Sequence, residues 1–247
     1  SPPPPSPIIA LTTSPTLPPT SSPTSSPTGV CELEKVAINF ERSEVFGALT
    51  GGGSIVYSSV GVLDGSALDL VIREESLSAD SACGGAIDAC VGKQSGHAGG
   101  IAFQSGRKDK YLDHLQFCFV HQSDSSSAKL SAFEFTFLGI DDTERLLVEK
   151  TYTEYYVADG TNLVEYDTND GYRGFFTNGP GSAGSSYHDV FGLDQLQQKR
   201  GVRFFFRDTS CFHVKLRAPT TTGEETGTLQ SIFFTGDSNV GIPSWCY

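Results

Sequence analysis

The sequence lacks the motifs on which common enzyme and zinc sites depend. Methionine is absent, tryptophan occurs once, and the five histidines are dispersed. No Gly-x-Ser-x-Gly or His-Glu-x-x-His motif occurs, so the signatures of serine hydrolases and zinc peptidases are missing. No Cys-x-x-Cys pair is present either, which argues against tetrahedral zinc. The sequence therefore predicts a protein that is not an enzyme.

The chain also lacks a positive charge balance and any long apolar run. Its formal net charge is −12, whereas nucleic-acid and anionic-membrane binding both require an excess of lysine and arginine. No run of 18 apolar residues occurs, so we expect no membrane-spanning helix. Neither nucleic acid nor membrane insertion is expected for this chain.

Cysteine, in contrast, is present in an even number. The six residues are Cys31, Cys83, Cys90, Cys118, Cys211 and Cys246. Three disulfides in an oxidising compartment fit this count, although six cysteines allow about 15 pairings. We predict Cys83–Cys90 across a short glycine-rich loop, Cys31–Cys246 between the domain ends, and Cys118–Cys211 between two core strands. Because a translated chain begins with methionine, its absence predicts a processed product or a fragment. Removal of a signal peptide is the simplest explanation, and it predicts a secreted protein.

The composition changes sharply near residue 30. Residues 1–30 hold ten of the thirteen prolines and thirteen serines or threonines, and no charged side chain. Such a segment favours an extended polyproline II conformation, which has no internal hydrogen bonds. Its one apolar stretch, Ile8 to Leu11, is suited to lie on a neighbouring surface or to extend an open sheet edge. We expect a tail over residues 1–30 and one folded domain over residues 31–247.

From residue 31 onward the pattern is β throughout. Predicted strands cover 36–40, 54–60, 67–73, 115–120, 132–137, 202–206, 211–216 and 229–235. The stretch 146–157 is predicted to be one long strand or a strand pair. Asp64-Gly65 marks a hairpin, and the strands at 202–206 and 211–216 are expected to pair across 208–210. One short helix is predicted over 193–199. Short strands separated by turns are typical of an all-β, antiparallel β-sandwich or jelly roll.

Two acidic loops are candidate calcium sites. Asp141, Asp142 and Glu144 follow a core strand, and Asp167 and Asp170 form a second cluster beside a glycine. Carboxylate oxygens are the ligands that Ca²⁺ prefers, although neither loop fits the EF-hand pattern. Ordinary Asx turns are the alternative interpretation. A possible Ca²⁺ ion is the only cofactor that the sequence indicates.

Aromatic and acidic side chains offer two further candidate sites. Tyrosines that could stack on sugar rings gather in the middle of the chain: Tyr152, Tyr155, Tyr156, Tyr166 and Tyr172. Strand packing with the hydroxyl at the surface is the simpler interpretation. Any two of Glu134, Glu144, Glu149 and Glu154 could face a cleft as a catalytic carboxylate pair. A solvated strand face is the simpler interpretation for these acids.

The tail opens with Ser1-Pro2-Pro3-Pro4-Pro5-Ser6-Pro7 and resembles the hydroxyproline-rich extracellular glycoproteins of plants and algae, including extensins, pherophorins and mastigoneme proteins. That resemblance implies hydroxylated prolines with O-linked glycans. Because no Asn-x-Ser/Thr sequon occurs, any glycan here should be O-linked. The expected modified residues are Pro2, Pro3, Pro4, Pro5, Ser6, Pro7, Thr12, Thr13, Ser14 and Thr16. The runs 59–70 and 135–141 resemble β-sandwich modules of secreted adhesin-like proteins.

These features predict a structural subunit of an extracellular fibril, surface hair or wall layer. Its expected partners are copies of itself in a filament or layer, bound through the tail, together with O-linked glycans. The alternative is a calcium-dependent carbohydrate-binding module on a glycosylated stalk. Assembly that requires the tail would favour the first function, whereas glycan binding lost in a chelator would favour the second.

Overall fold

A computed structural model describes residues 35–75, 90–105, 111–140, 145–177, 187, 189–217 and 228–241. The chain divides after residue 32, and all described residues belong to the second unit, Leu33–Tyr247. In chain order the elements are β1 (Val45–Gly47), β2 (Ser54–Leu63), β3 (Ser66–Glu74), β4 (Cys90–Ser95), β5 (Ala98–Ser105), β6 (Tyr111–His121), β7 (Leu130–Leu138), β8 (Arg145–Glu149), β9 (Glu154–Val157), β10 (Leu163–Asp167), β11 (Tyr172–Thr177), α1 (Gln195–Gln198), β12 (Val202–Thr209), β13 (Cys211–Arg217) and β14 (Thr228–Thr235).

The strands of the described residues form two sheets. Sheet A has eight strands in the order β1-β2-β3-β6-β13-β8-β11-β10, and sheet B has six in the order β4-β5-β14-β7-β12-β9. The strand pairings are antiparallel in both sheets. The predicted all-β, antiparallel sandwich is confirmed.

The core between the sheets is filled mainly by phenylalanine rings. On β7, Phe133, Phe135 and Phe137 are fully buried, as the period-two pattern predicted. Two rings from sheet A, Phe117 and Phe212, lie with their centroids 5.9 Å and 5.1 Å from that of Phe135. Because burying one phenylalanine side chain contributes about 1.5–3 kcal/mol, this layer of rings supplies much of the stability.

The hairpin predicted at Asp64-Gly65 is confirmed. These two residues join β2 to β3 and have φ angles of 50° and 78°. Two consecutive positive φ angles are what a type I′ turn needs, and Asp-Gly adopts them at low cost. The turn fixes the register in which Leu63 pairs with Ser66.

The strand predicted over 36–40 is wrong. The Val36 N–H donates to the Ala132 carbonyl of sheet B at 2.9 Å, and the Asn39 N–H donates to the Val60 carbonyl of sheet A at 2.7 Å. Because its hydrogen bonds go to two different sheets, the segment crosses the rim of the sandwich and cannot pair with one strand. Its apolar pattern is still used, since Phe40 is fully buried.

The predicted pairing of 202–206 with 211–216 is also wrong. Strand β12 pairs with β7 and β9 in sheet B, whereas β13 pairs with β6 and β8 in sheet A. The chain changes sheet at Ser210, and Phe206 and Phe212 stack across the core with centroids 4.6 Å apart. The stretch 146–157, predicted as one long strand or a strand pair, is two strands, and β8 lies in sheet A whereas β9 lies in sheet B.

The predicted helix is present but shorter than expected. Helix α1 spans only Gln195–Gln198, and Asp194 is its N-cap rather than part of its first turn. The Asp194 carboxylate accepts from the Gln197 N–H at 2.8 Å, and the Gln197 side chain accepts from the Asp194 N–H at 2.9 Å. This reciprocal capping box defines the helix start.

One predicted disulfide is present among the described residues. Cys118 of β6 and Cys211 of β13 lie directly opposite each other and are bonded, which confirms that pair. Cys90 is also disulfide-bonded, and its partner lies outside the described residues. Cys31, Cys83 and Cys246 lie outside them too, so the other two pairings stay predictions.

Candidate functional site

A buried cluster of charges lies on the outer face of sheet B. Glu134 of β7 is only 7% exposed, and its Oε1 accepts a hydrogen bond from the Lys35 ammonium at 2.7 Å. Its Oε2 lies 3.6 Å from the guanidinium of Arg203 on the neighbouring strand β12. Each carboxylate oxygen therefore has a cation beside it, which offsets the cost of burying the charge.

The segment that follows β14 covers this cluster. The Arg203 guanidinium donates to the carbonyls of Ser238 at 3.4 Å and Gly241 at 3.3 Å. The Thr136 hydroxyl, next to Glu134 on the same face, donates to the Gly236 carbonyl at 3.1 Å. The charges therefore hold the end of the described chain against sheet B.

The beginning of the described chain meets its end at the same place. A Cβ atom at Gly236 would lie 2.1 Å from the Ile38 carbonyl oxygen, so only glycine permits this approach. Lys35, three residues before Ile38, supplies one of the two cations on Glu134. We conclude that the cluster holds both ends of the described chain, near Lys35 and near Gly241, against sheet B.

Asp237 is the acid that sequence reasoning missed. Its pKa is raised by burial first and then by the negative charge of Glu134, while Lys35 and Arg203 act in the opposite direction. Sequence reasoning gave Asp237 no role, because it lies far from Glu134 along the chain. Only the pairing of β14 with β7 brings the two acids to one site.

The carboxylate pairs considered for catalysis do not form among the described residues. Glu149 lies in sheet A, where it contacts the His213 ring at 2.7 Å, and Glu154 accepts a hydrogen bond from the Tyr156 hydroxyl. Glu144 lies outside the described residues. The interpretation of Glu134 as part of a solvated face is wrong, because the residue is buried and bonded to two cations.

The five tyrosines are distributed over separate places. Tyr152 and Tyr155 pack edge to face, with centroids 5.8 Å apart, at the rim beside the core. Tyr156 lies on the other face of β9, with its ring over the Arg203 guanidinium at 5.2 Å. Tyr166 lies over Gly174, and Tyr172 lies under the Lys215 ammonium at 4.2 Å. These tyrosines therefore form no continuous platform for a sugar.

The rim tyrosines carry strongly perturbed hydroxyls. The Tyr155 hydroxyl donates to the Glu165 carboxylate at 2.5 Å. Burial, together with this hydrogen bond, raises the pKa of Tyr155 to about 12. Arg173 completes the group, with its guanidinium 5.4 Å from the Tyr155 ring centroid and 3.5 Å from Glu165. The Tyr155 hydroxyl is therefore a hydrogen-bond donor at physiological pH.

Both described calcium candidates are bonded to cationic side chains. Asp167 lies 3.0 Å from the Lys150 ammonium and 2.8 Å from the Arg173 guanidinium. Asp170 accepts from the Lys215 ammonium at 2.7 Å, which is the main reason why its pKa falls to about 2. Within the described ranges, no three acidic, histidine or cysteine side chains gather as a metal site.

The other predicted calcium ligands, Asp141, Asp142 and Glu144, lie outside the described residues. Calcium binding therefore stays a prediction. The described part of the chain contains no helix long and apolar enough to cross a bilayer.

Comparisons with known proteins give little further information. No protein-family model and no curated protein sequence matches the chain. Among solved structures, the N-terminal domain of the Streptococcus gordonii adhesin Sgo0707 is similar to 79% of this chain, at 11% sequence identity and a TM-score of 0.46. The match covers 49% of that structure, so the chain spans about half of its length.

Proposed function

We propose that this protein is a structural subunit of an extracellular assembly, in which the sandwich is a rigid body and the tail connects neighbouring copies. The observation that carries the proposal is the division of charge along the chain. Residues 1–30 contain no charged side chain, so the net charge of −12 belongs entirely to residues 31–247. Acidic domains repel each other, whereas a neutral tail approaches them without that cost.

The sandwich domain has features that suit a mechanically stable extracellular module. A disulfide joins two neighbouring strands of sheet A, and disulfides persist in oxidising compartments. The Glu134 cluster holds both described ends of the chain against sheet B. These features support a secreted module whose fold resists opening from its ends.

The tail has the composition of a connector. Proline restricts φ, so an extended conformation costs less entropy there than in an ordinary chain. We propose that O-linked glycans on the prolines, serines and threonines of the tail extend it further by crowding. Intact-mass and peptide-mapping measurements should find glycan mass mainly within residues 1–30, and a tail at its bare mass would contradict this.

Calcium-dependent sugar binding has weaker support from the described residues. Asp167 and Asp170 would have to exchange lysine and arginine partners for the ion. Thermal unfolding in calcium and in a chelator tests this function. A higher melting temperature in calcium, together with glycan binding that the chelator abolishes, would favour it over a structural role.

The assembly proposal is tested by changing the tail alone. Three forms should be compared by analytical ultracentrifugation and electron microscopy: the full chain, a form lacking residues 1–30, and a form in which a glycine-serine segment of equal length replaces them. We expect only the full chain to assemble, with all three giving the same β-rich circular dichroism spectrum. Assembly of the glycine-serine form would show that the tail is a passive spacer.

A further inference from the structure

A row of apolar side chains crosses the outer face of sheet A. The register pairs Phe46 with Val56, Val56 with Val71, Val71 with Cys118, and Cys118 with Cys211. These five residues, here called the apolar row, therefore stand side by side on five consecutive strands. Strands lie about 4.8 Å apart, so the row is about 19 Å long.

The row faces outward because its neighbours along each strand face the core. Ile55, Leu70 and Phe117, which alternate with row residues, are fully buried between the sheets. Phe46, at the edge of the sheet, is 52% exposed, Val56 is partly exposed, and Val71 at the middle of the row is 7% exposed. Val62, on the same face of β2, is 64% exposed.

Polar side chains flank the apolar row. The adjacent row on one side contains Arg73, Gln116 and His213, which the same registers align. The adjacent row on the other side contains Asp69, which pairs with Val120. An apolar stripe with a polar rim is the usual appearance of a protein interaction site.

We propose that the apolar row binds the Ile8-Ile9-Ala10-Leu11 segment from the tail of a neighbouring copy, an inference that rests on the proposed function. This segment is the longest part of residues 1–30 without proline, serine or threonine. It therefore has no site for an O-linked glycan, and its apolar side chains stay free for contact.

Charge and length both favour the tail over a second domain as the occupant. Another sandwich would bring its own acidic surface to the row, whereas the tail brings no charge. An extended chain rises about 3.1 Å per residue, so about six residues centred on the segment match the length of the row. Its side chains would cover Phe46 and Val56 without placing a charge over them.

The test uses sedimentation velocity of the secreted full chain over a range of concentrations. We expect Phe46→Ser to weaken assembly at least about tenfold, because the exposed part of a phenylalanine ring would no longer be covered. The nearly isosteric Val56→Thr should weaken assembly in the same direction. Ile8→Ser with Ile9→Ser should match Phe46→Ser, and combining the changes on both sides should add little.

Phe191→Ser is the matched control, because Phe191 is 57% exposed and lies outside the apolar row. It should leave assembly unchanged, and circular dichroism should be the same for all variants. Assembly that Phe46→Ser and Val56→Thr leave intact would overturn the inference while the tail-dependent function stands. A wild-type chain that stays monomeric at every concentration would overturn both.

Discussion

The Glu134→Gln substitution tests whether the buried charge cluster holds the domain together. It keeps the shape of the side chain but removes its charge, so the Lys35 and Arg203 cations lose the carboxylate that lies in contact with them. Breaking one side of a buried ion pair costs about 3–5 kcal/mol. Arg203 is 7% exposed, but Lys35 is 30% exposed and water can solvate it in part. We therefore expect the free energy of unfolding to fall by about 3 kcal/mol, the lower end of this range.

Urea denaturation followed by tryptophan fluorescence and circular dichroism measures this loss as a lower midpoint. In a domain of this size, a loss of about 3 kcal/mol corresponds to a melting temperature about 6–12 °C lower. Lys129→Gln is the matched control, because Lys129 and Asp208 form a pair at 3.9 Å that is 68% and 78% exposed. The control should change stability by less than about 0.5 kcal/mol.

A double-mutant cycle separates the pair from its surroundings. Lys35→Gln combined with Glu134→Gln should cost less than the sum of the two single changes, because each single change removes the same interaction. If the free energy of unfolding of the Glu134→Gln variant lies within about 0.5 kcal/mol of the wild-type value, the cluster does not hold the ends of the described chain and the reasoning fails.

Three further predictions concern stability. The Cys118–Cys211 bond spans a sequence separation of 93, so replacing both cysteines by alanine should cost up to about 4.7 kcal/mol through loop entropy; an unchanged urea midpoint without reductant would contradict this. Gly236→Ala should lower stability more than Gly171→Ala does. A Cβ at residue 236 would lie 2.1 Å from a backbone oxygen, whereas Gly171 has open space around it and only a positive φ. Equal melting temperatures of the two variants would refute this prediction. Because the pKa of Asp170 falls to about 2 in the folded state, its contribution is complete above about pH 4 and disappears as the pH falls toward 2. Asp170→Asn should therefore flatten the acid dependence of the urea midpoint in that range, and an unaltered profile would count against the Lys215 pair.

The elements that sequence reasoning identified correctly are those with local signals. Alternating phenylalanines specify β7 because period two places them all on one face. Asp64-Gly65 specifies its hairpin because few other dipeptides accept two positive φ angles. The disulfide between Cys118 and Cys211 was also predictable, since both cysteines lie in strands with strong core patterns.

The corners of the sandwich were not predictable in the same way. A turn at 208–210 looks the same in sequence whether the chain stays in one sheet or changes to the other. The difference depends on the partner strands, because β12 pairs with β7 in sheet B and β13 pairs with β6 in sheet A. The same reason explains why 36–40, apolar enough for a strand, instead crosses between sheets.

The candidate sites depended on such long-range contacts and were predicted less well. Glu134 was considered as a catalytic acid or part of a solvated face, but its cations come from Lys35 and Arg203, at distant positions in the chain. Asp167 and Asp170 have the carboxylate oxygens that calcium prefers, yet their neighbours in the fold are cations. Residue type indicated the chemistry available, and only the strand order determined the partners.

The most direct test of the central claim is electron microscopy of the protein released in native form from the cells that produce it. A structural subunit that assembles through its tail should appear as filaments, hairs or sheets containing many copies. Treatment that removes the O-linked glycans should leave the 31–247 bodies folded while altering the connections between them. Native material consisting only of single, separate molecules at physiological concentration would contradict the account.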